Sequence, residues 1–164
     1  MEKYNYFPMF VDISQKRILV IGGGKIAARR IRTLMKFAAD IVVISREAGE
    51  LLTELIKKDA DSQITYICRE VCEEEFLKES DENPLNGMDI VLAATDNSRL
   101  NRKIAESCRK RQILVNISDD KELCDFYFPA VTEKDGVVIG INSGGKSPEK
   151  VRKVRECIDR QISF

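Results

Sequence analysis

The chain has 164 residues, of which 43% are apolar, and this is enough for one domain, or one domain with an appendage, around a hydrophobic core. Its 27 basic residues balance its 27 acidic residues, so the overall charge gives no indication of binding to nucleic acid or to an anionic membrane. The apolar runs are far shorter than a membrane span, and the first residues lack the charged-then-apolar order of a signal peptide. We therefore expect a cytoplasmic protein.

The cysteines do not form the pattern of a disulfide framework or of a zinc site. The chain has no histidine and no CxxC pair, and the nearest approach to a metal-binding pair is Cys68 with Cys72. The other cysteines are scattered at positions 108, 124 and 157. Because a structural zinc site needs four nitrogen or sulfur ligands, we predict reduced thiols and no bound metal.

Strand-like and helix-like segments alternate along most of the chain. Short β-branched runs predict buried strands at residues 17–21, 40–44, 63–67, 89–93 and 113–117. The segments between them carry apolar residues at helical spacing, namely Ala27, Ile31, Leu34 and Ala38, then Leu51, Leu52, Leu55 and Ile56, then Leu100, Ile104 and Cys108. The alternation predicts an α/β fold with a doubly wound parallel sheet of the Rossmann type, over residues 1–118.

The first junction between a strand and a helix carries the sequence RILVIGGGKIAARR. Gly22, Gly24 and Ala27 match G-x-G-x-x-A directly after a strand and at the start of a helix. Gly22 allows the tight turn, Gly24 allows the backbone to approach a pyrophosphate, and Ala27 allows the helix to pack closely on the sheet. With the βαβ pattern around it, the motif predicts dinucleotide binding rather than only a tight turn.

The end of the second strand leaves the choice between NAD and NADP open. The acid that would bind the ribose hydroxyls of NAD is replaced by Ser45 and Arg46, and Glu47 comes one position late. Arg46 is suited to the 2′-phosphate of NADP. In the alternative, Arg46 is only a solvated loop residue, and Ser45 bonds the ribose of NAD.

The fourth strand leads into AATDNSRLNRKIAE. Thr95 and Asp96 follow the strand directly, and Asn97 or Ser98 can cap the next helix. Turn formation and capping account for at least two of these four residues. Because ligands of such sheets lie outside the carboxyl ends of the strands, we also expect Thr95 and Asp96 to border the cofactor.

The fifth strand is followed by two consecutive carboxylates. Asp119 comes first and is placed to move a proton on the nicotinamide side of the crevice. The alternative is that Asp119 or Asp120 only caps the short segment KELCDF.

The pattern changes after Phe126. The sequence predicts a strand, a polar turn, a second strand VVIGI, and a helix with Ser147 as its cap and Pro148 in its first position. A hairpin from Asp125 to Asn142 and one helix cannot cover both of their own faces. We therefore predict a homodimer formed through residues 119–164.

A glycine loop in this segment is the second candidate site. Ser143, Gly144, Gly145 and Lys146 present backbone amides and one positive charge. The helix behind the loop adds Lys150, Arg152, Lys153 and Arg155. Such a cluster suits a ligand with several carboxylates, although a run of charge on a helix is more often a solvated face.

Four blocks together resemble the precorrin-2 dehydrogenase family, whose domain occurs alone or fused in siroheme synthases. They are FPMFVDISQKRILVIGGGKIAARRIRTL, DIVLAATDNSRLN, VNISDDKELCDFYFPAV and GINSGGKSP, and they extend over nearly the whole chain. The resemblance implies oxidation of precorrin-2 to sirohydrochlorin with NAD, and in some members the insertion of ferrous iron to give siroheme. Many relatives continue with a further helical segment where this chain stops at Phe164, so chelation is expected with less support than dehydrogenation.

The resemblance also implies roles for individual residues. The acid implicated in both reactions of the family falls on Asp119, and the serine near the tetrapyrrole falls on Ser143. The nucleotide-binding positions fall on Gly22, Gly23, Gly24, Lys25, Ile26, Ser45 and Arg46. The family often lacks the acid after the second strand while using NAD.

Two other functions are compatible with parts of the sequence. A non-catalytic dimeric dinucleotide sensor explains the glycine turn and the hairpin, but it gives no reason for Asp119 or for the SGGKSP loop. A dehydrogenase of another polycarboxylate explains both. Absorbance changes on mixing with a tetrapyrrole separate these alternatives.

Overall fold

The computed structural model describes residues 7–161, which divide into two compact units. The first unit is Asp12–Phe126, and the second comprises the described residues of Met1–Val11 and Tyr127–Phe164. The predicted division after Ser118 lies inside the first unit, so Asp119 belongs to the same unit as the glycine turn. Among the described residues, no helix is long and apolar enough to cross a membrane.

The first unit is built on a parallel sheet of five strands in the order β3-β2-β1-β4-β5. The strands are β1 Arg17–Ile21, β2 Asp40–Ser45, β3 Ile64–Cys68, β4 Ile90–Ala93 and β5 Leu114–Ile117. Every bound lies within one residue of the position predicted from the β-branched runs. The predicted doubly wound α/β sheet is confirmed, because the strand order reverses direction between β1 and β4.

Helices connect the strands and supply most of the remaining core. They are α1 Lys25–Leu34, α2 Glu50–Lys58, the short α3 Glu73–Leu77, α4 Ser98–Lys110 and a 3₁₀ helix at Lys121–Leu123. On α1 the buried positions are Ala27, Ala28, Ile31 and Leu34, which share one face. The pattern analysis missed α3, because five residues that begin with three glutamates show no apolar period; buried Phe76 fixes this turn to the core.

The register of the sheet brings several strand ends to one edge. Ile21 of β1 lies beside Ile44 of β2 and beside Ala93 of β4, and Ala93 lies beside Ile117 of β5. The residues that follow these strands therefore emerge at the same edge. In an open α/β sheet this carboxyl edge is where ligands bind.

The outer edge of β5 is covered by the chain that follows it. Asp125 N donates to Val115 O at 2.9 Å, and Val115 N donates to Asp125 Oδ2 at 2.9 Å. Ile117 N donates to Cys124 Sγ at 3.3 Å. The predicted hairpin strand starting at Asp125 is therefore wrong in its first residues: Asp125 bonds to β5, and the hairpin strand begins after Pro129, which has no N–H to donate.

The second unit contains the hairpin and the last helix. Strands β6 Ala130–Lys134 and β7 Val137–Ile141 pair antiparallel, and α5 is Pro148–Gln161. Asp135 and Gly136 form the turn with φ of 51° and 78°, as a two-residue type I′ hairpin requires. Thr132 hydrogen-bonds Asp159, which joins β6 to α5. The predicted cap is confirmed, because Ser147 Oγ accepts from Lys150 N at 3.3 Å.

Candidate functional site

The glycine turn after β1 requires its first glycine for two reasons. Gly22 has φ of +113°, a conformation that side chains rarely adopt, and a Cβ there would lie 2.4 Å from Ala94 O. Gly22 N donates to Ile44 O at 2.9 Å, and Ala94 N donates to Ile21 O at 2.8 Å. The turn is thus fixed against the ends of both neighbouring strands.

The second glycine packs against the segment that follows β2. A Cβ at Gly23 would lie 2.2 Å from Glu47 O and 2.5 Å from Ser45 Oγ. Gly49 N donates to Gly23 O at 3.0 Å. Gly23 is therefore needed for close approach inside the protein, in addition to any contact with a nucleotide.

The third glycine is different, because the space beside it is empty. A Cβ at Gly24 would meet no heavy atom within 4 Å. Gly24 is the N-cap of α1, no side chain caps this helix end, and no acid lies in its first turn, where Lys25 and Ile26 are both exposed. The helix amides at this end are uncapped, and the positive end of the helix dipole lies beside the open space. This arrangement fits the pyrophosphate of a dinucleotide.

The two polar residues at the end of β2, Ser45 and Arg46, differ in how accessible they are to a ligand. Ser45 is buried, and its hydroxyl donates to Glu47 O at 2.8 Å, with Tyr66 Oη 3.3 Å away. Arg46 is exposed and lies 4.0 Å from the Glu47 carboxylate. The Ser45 hydroxyl thus stabilises the loop after β2, which the sequence analysis did not anticipate, whereas the Arg46 guanidinium faces solvent.

The end of β4 forms a compact turn before α4. Asn97 is the N-cap of α4, since its Oδ1 accepts from Leu100 N at 3.1 Å, and this confirms one of the two predicted caps. Thr95 Oγ1 accepts from Asn97 N at 3.2 Å. Asp96 is exposed and makes no hydrogen bond or ion pair within the described part of the chain.

The two carboxylates after β5 have different surroundings. Asp120 caps the 3₁₀ helix, with Oδ1 accepting from Glu122 N at 3.0 Å, and its Oδ2 pairs with Arg102 Nη2 at 3.2 Å. Asp119 is exposed, and its Oδ1 accepts from Asn101 Nδ2 at 3.0 Å. Within residues 7–161, Asp119 Oδ2 has no hydrogen bond or ion pair. Both acids line a shallow cavity of about 190 Å³, together with Ser98, Arg102, Ile117 and Leu123.

Asn101 was not predicted as a site residue, although the sequence contains a signal. It occupies a position on the apolar face of α4, beside Leu100, Ile104 and Ala105, and it is fully buried. A buried amide must be hydrogen-bonded, so an asparagine at a core position indicates a polar network behind the helix. The network here joins the end of β4 to Asp119.

The SGGK loop of the second unit is ordered by its own side chains. Gly144 N donates to Asn142 Oδ1 at 2.7 Å, and Ser147 N donates to Ser143 Oγ at 3.0 Å. Gly144 and Gly145 have φ of 64° and 72°, in the left-handed region that glycine tolerates.

The predicted cationic cluster behind this loop is largely neutralised. Acids one turn along the same helix pair with three of its members, in the pairs Lys153 with Glu149, Arg152 with Glu156, and Arg155 with Asp159. Lys146 and Lys150 form no ion pair within the part of the chain that the structure describes. The positive charge available to a ligand is therefore concentrated at the loop and the first turn of α5.

No group of three or more potential metal-binding side chains occurs among residues 7–161. Two buried or half-buried thiols of this unit are not activated: Cys124, whose Sγ donates to Ile117 O at 3.3 Å at the end of β5, and Cys108, in the last turns of α4. Burial raises the pKa of Cys108 to about 12, and burial also raises the pKa of Cys124. Both thiols are therefore protonated at neutral pH, so neither serves as a thiolate nucleophile.

Comparison with known proteins identifies the family. Residues 9–130 match the family described as putative NAD(P)-binding. The chain belongs to this family. The family description agrees with the open space at Gly24, and the prediction of dinucleotide binding is confirmed as NAD(P) binding.

Relatives of the chain are proteins of siroheme biosynthesis. It is 33% identical to a siroheme synthase of Mannheimia succiniciproducens over 94% of this chain and 30% of the relative. It is 34% identical to a siroheme synthase of Vesicomyosocius okutanii over 96% of this chain and 31% of the relative. A probable multifunctional siroheme biosynthesis protein of Ruminiclostridium josui is 35% identical over 94% of this chain and 28% of its own length. The chain thus spans about 30% of the relatives that it matches, and the predicted resemblance is confirmed.

Solved structures confirm the fold. SirC, a precorrin-2 dehydrogenase, superposes with a TM-score of 0.76 at 22% identity, covering 96% of this chain and 71% of that one. The E. coli tRNA N6-threonylcarbamoyladenosine dehydratase TcdA superposes with a TM-score of 0.54 at 16% identity, over 64% of this chain and 52% of that one. The first similarity extends over nearly the whole chain, and the second over about two thirds of it.

Proposed function

We propose that this chain is a precorrin-2 dehydrogenase that oxidises precorrin-2 to sirohydrochlorin with NAD. The observation that carries the proposal is the state of Asp119: its carboxylate emerges at the carboxyl edge of the sheet, in the same unit as the glycine turn, and one of its oxygens makes no bond within residues 7–161. Strands β1, β4 and β5 are neighbours in register, so the ends of β1 and β5 are two strand spacings apart, about 10 Å.

The reaction removes a hydride and a proton from the macrocycle. The glycine turn from Gly22 to Gly24 would hold NAD, which would supply the hydride acceptor. Asp119 accepts the proton through Oδ2, because Oδ1 is already hydrogen-bonded to Asn101. Asp120 is unsuited to this step, since one of its oxygens caps the 3₁₀ helix and the other pairs with Arg102. The overall reaction consumes one precorrin-2 and one NAD⁺, and it forms one sirohydrochlorin, one NADH and one proton.

The SGGK loop is proposed to bind carboxylates of the tetrapyrrole. Ser143, Gly144 and Gly145 form a loop that is ordered by internal hydrogen bonds. Lys146 and Lys150 supply charge that no acid neutralises within the described residues. A substrate with several carboxylates gains most from such groups, because charge-assisted hydrogen bonds are the stronger ones.

The cofactor is proposed to be NAD rather than NADP. The support comes from the resemblance, in which the acid after the second strand is often absent from enzymes that use NAD. Arg46 is the residue through which NADP would be accepted, because its exposed guanidinium is only weakly engaged by Glu47 at 4.0 Å.

The protein is proposed to act as a homodimer in which the hairpin of the second unit meets a second copy. Strands β6 and β7 form a two-stranded sheet with no other strand beside it among the described residues. No described residue of α5 is buried. A hairpin with one such helix is marginally stable alone, and a second copy related by two-fold symmetry covers the same exposed edge or face of each hairpin.

One anaerobic assay tests the function. The purified chain is mixed with precorrin-2 and either NAD or NADP, and sirohydrochlorin and the reduced cofactor are followed by absorbance. We expect equal amounts of the two products with NAD and much slower turnover with NADP. Addition of ferrous iron then tests for siroheme as a second product. Binding of NAD and of tetrapyrrole without turnover would refute the dehydrogenase proposal and favour a dinucleotide sensor.

A further inference from the structure

We infer that Asn101 is a positioning residue that orients the Asp119 carboxylate, an inference that rests on the proposed dehydrogenase function. Asn101 lies in the first part of α4, on the face that packs on the sheet, and it is 0% exposed. A buried amide costs free energy unless its hydrogen bonds are made inside the protein. Its partners therefore determine what the residue does.

All four hydrogen-bonding positions of the Asn101 amide are used. Oδ1 accepts from Thr95 N at 3.3 Å and from Thr95 Oγ1 at 2.7 Å. Nδ2 donates to Thr95 O at 3.1 Å and to Asp119 Oδ1 at 3.0 Å. A carboxamide has two donor hydrogens and two acceptor lone pairs, so this arrangement leaves it no other partner.

The partners also determine which end of the amide faces Asp119. Thr95 N can only donate, so it must face the oxygen of the amide, and Thr95 O can only accept, so it must face the nitrogen. The nitrogen is consequently on the side of Asp119 and donates to its carboxylate. The orientation is thus fixed by backbone atoms of the turn after β4, independently of Asp119.

This contact restricts an otherwise free side chain. Asp119 is exposed, and the bond from Asn101 is its one side-chain hydrogen bond within residues 7–161. Without it, the carboxylate can rotate about its side-chain torsions in solvent. With it, Oδ1 is anchored to the buried end of α4, and Oδ2 is presented in a defined direction. A general base must lie within hydrogen-bond reach of the proton that it removes, so this restriction should increase turnover.

The test is Asn101→Leu in the full chain. Leucine fills similar volume on the apolar face of α4 and favours helix, but it donates no hydrogen bond. We expect kcat for precorrin-2 oxidation to fall about 10- to 100-fold, the scale of a misplaced catalytic group, with KM and the Kd for NAD changed less than about twofold. Unchanged kcat in a folded Asn101→Leu protein would overturn the inference.

The matched control is Asn83→Leu. Asn83 is also buried, and its amide also bonds to the backbone, with Nδ2 donating to Lys78 O at 2.7 Å and Oδ1 accepting from Leu85 N at 2.9 Å. It lies in the loop before β4, at the opposite end of that strand from Thr95. We expect lower stability with unchanged kcat. An equal loss of kcat in both variants would show a general effect of losing a buried asparagine and would overturn the inference.

A double-mutant cycle separates an effect through Asp119 from an effect through Thr95. If Asn101 acts by orienting the Asp119 carboxylate, Asn101→Leu should lower the residual kcat of Asp119→Asn by less than about twofold. A full 10- to 100-fold loss in that background would assign the effect elsewhere. Should Asn101→Leu not fold, nuclear magnetic resonance of the parent decides: Asp119→Ala should shift the Asn101 side-chain amide resonance, and an unchanged resonance would overturn the contact.

These experiments distinguish failure of the inference from failure of the proposed function. If the parent does not oxidise precorrin-2, or if Asp119→Asn is fully active, the proposed function or its base is wrong. If the parent is active, Asp119→Asn is impaired and Asn101→Leu is not, then only the positioning role is wrong.

Discussion

Gly24→Val should weaken NAD binding while leaving the fold intact. The Cβ of residue 24 would meet no heavy atom within 4 Å, and the backbone φ of −78° and ψ of −176° is extended, which valine adopts readily. The cost to folding is that of a poor helix N-cap, about 1 kcal/mol. For a chain of this length, that cost lowers the melting temperature by about 2 to 4 °C.

The same side chain occupies the space in which the pyrophosphate is expected. Inserting a bulky group into a fitted site costs about 1 to 3 kcal/mol. The Kd for NAD should therefore rise about 5- to 150-fold, measured by isothermal titration calorimetry on parent and variant.

A contrasting variant is Gly23→Ala, whose Cβ would lie 2.2 Å from a backbone oxygen, so it should destabilise the fold more than Gly24→Val does. A folded Gly24→Val protein with the NAD affinity of the parent would show that the pyrophosphate does not lie beside this turn.

Three further predictions concern the acids, the assembly and a buried thiol. Asp119→Asn should lower kcat about 10²- to 10⁴-fold with unchanged NAD affinity. Asp120→Asn should instead lower the free energy of unfolding by about 1 kcal/mol or less. If steady-state kinetics showed the loss of kcat in Asp120→Asn and not in Asp119→Asn, the general base would be Asp120. The chain should be a dimer by light scattering at micromolar concentration, and a monodisperse monomer would contradict the proposed role of the hairpin. Burial raises the pKa of Cys108 to about 12 from the usual 9.0, so on raising the pH the thiol is deprotonated in the unfolded chain before it is deprotonated in the folded chain. The contribution of the protonated thiol to the free energy of unfolding is therefore complete below pH 9.0 and is lost as the pH rises towards 12. Urea denaturation of Cys108→Val should show a smaller loss of stability over this range than the parent, and equal losses would contradict the assignment to this thiol.

Much of the first unit could be predicted because its determinants are local. A buried parallel strand needs a continuous apolar run, and each run from β1 to β5 coincides with an observed strand within one residue. The glycines were predicted for the same reason: the φ of +113° at Gly22 and the empty space at Gly24 are the conditions that the G-x-G-x-x-A pattern describes.

The features that were missed depend on which polar groups meet once the chain has folded. The sequence offered Ser45 as one candidate for ribose binding, and it did not show that the Ser45 hydroxyl donates to Glu47 O, because the loop after β2 folds back on Gly23. The cations of α5 were counted as a cluster, although three of them pair with acids one turn away. Asn101 was overlooked because a helical pattern marks its position as core without indicating what lies opposite. In each case a polar contact formed in the folded chain determines what the side chain does.

The adjacent acids Asp119 and Asp120 show how one fold gives two identical side chains separate roles. After β5 the chain turns into the 3₁₀ helix, and Asp120 becomes its cap, so that side chain is used to satisfy a backbone N–H and is further restrained by Arg102. Asp119 precedes the cap and has no backbone group to satisfy within the described residues. It is anchored instead by one amide hydrogen bond from α4, which leaves an oxygen exposed at the edge where the cofactor binds in this fold. A carboxylate that stabilises the fold with both oxygens is poorly suited to accept a proton, whereas one held by a single oxygen is both oriented and available. The structural role of Asp120 therefore supports assigning the proton chemistry to Asp119.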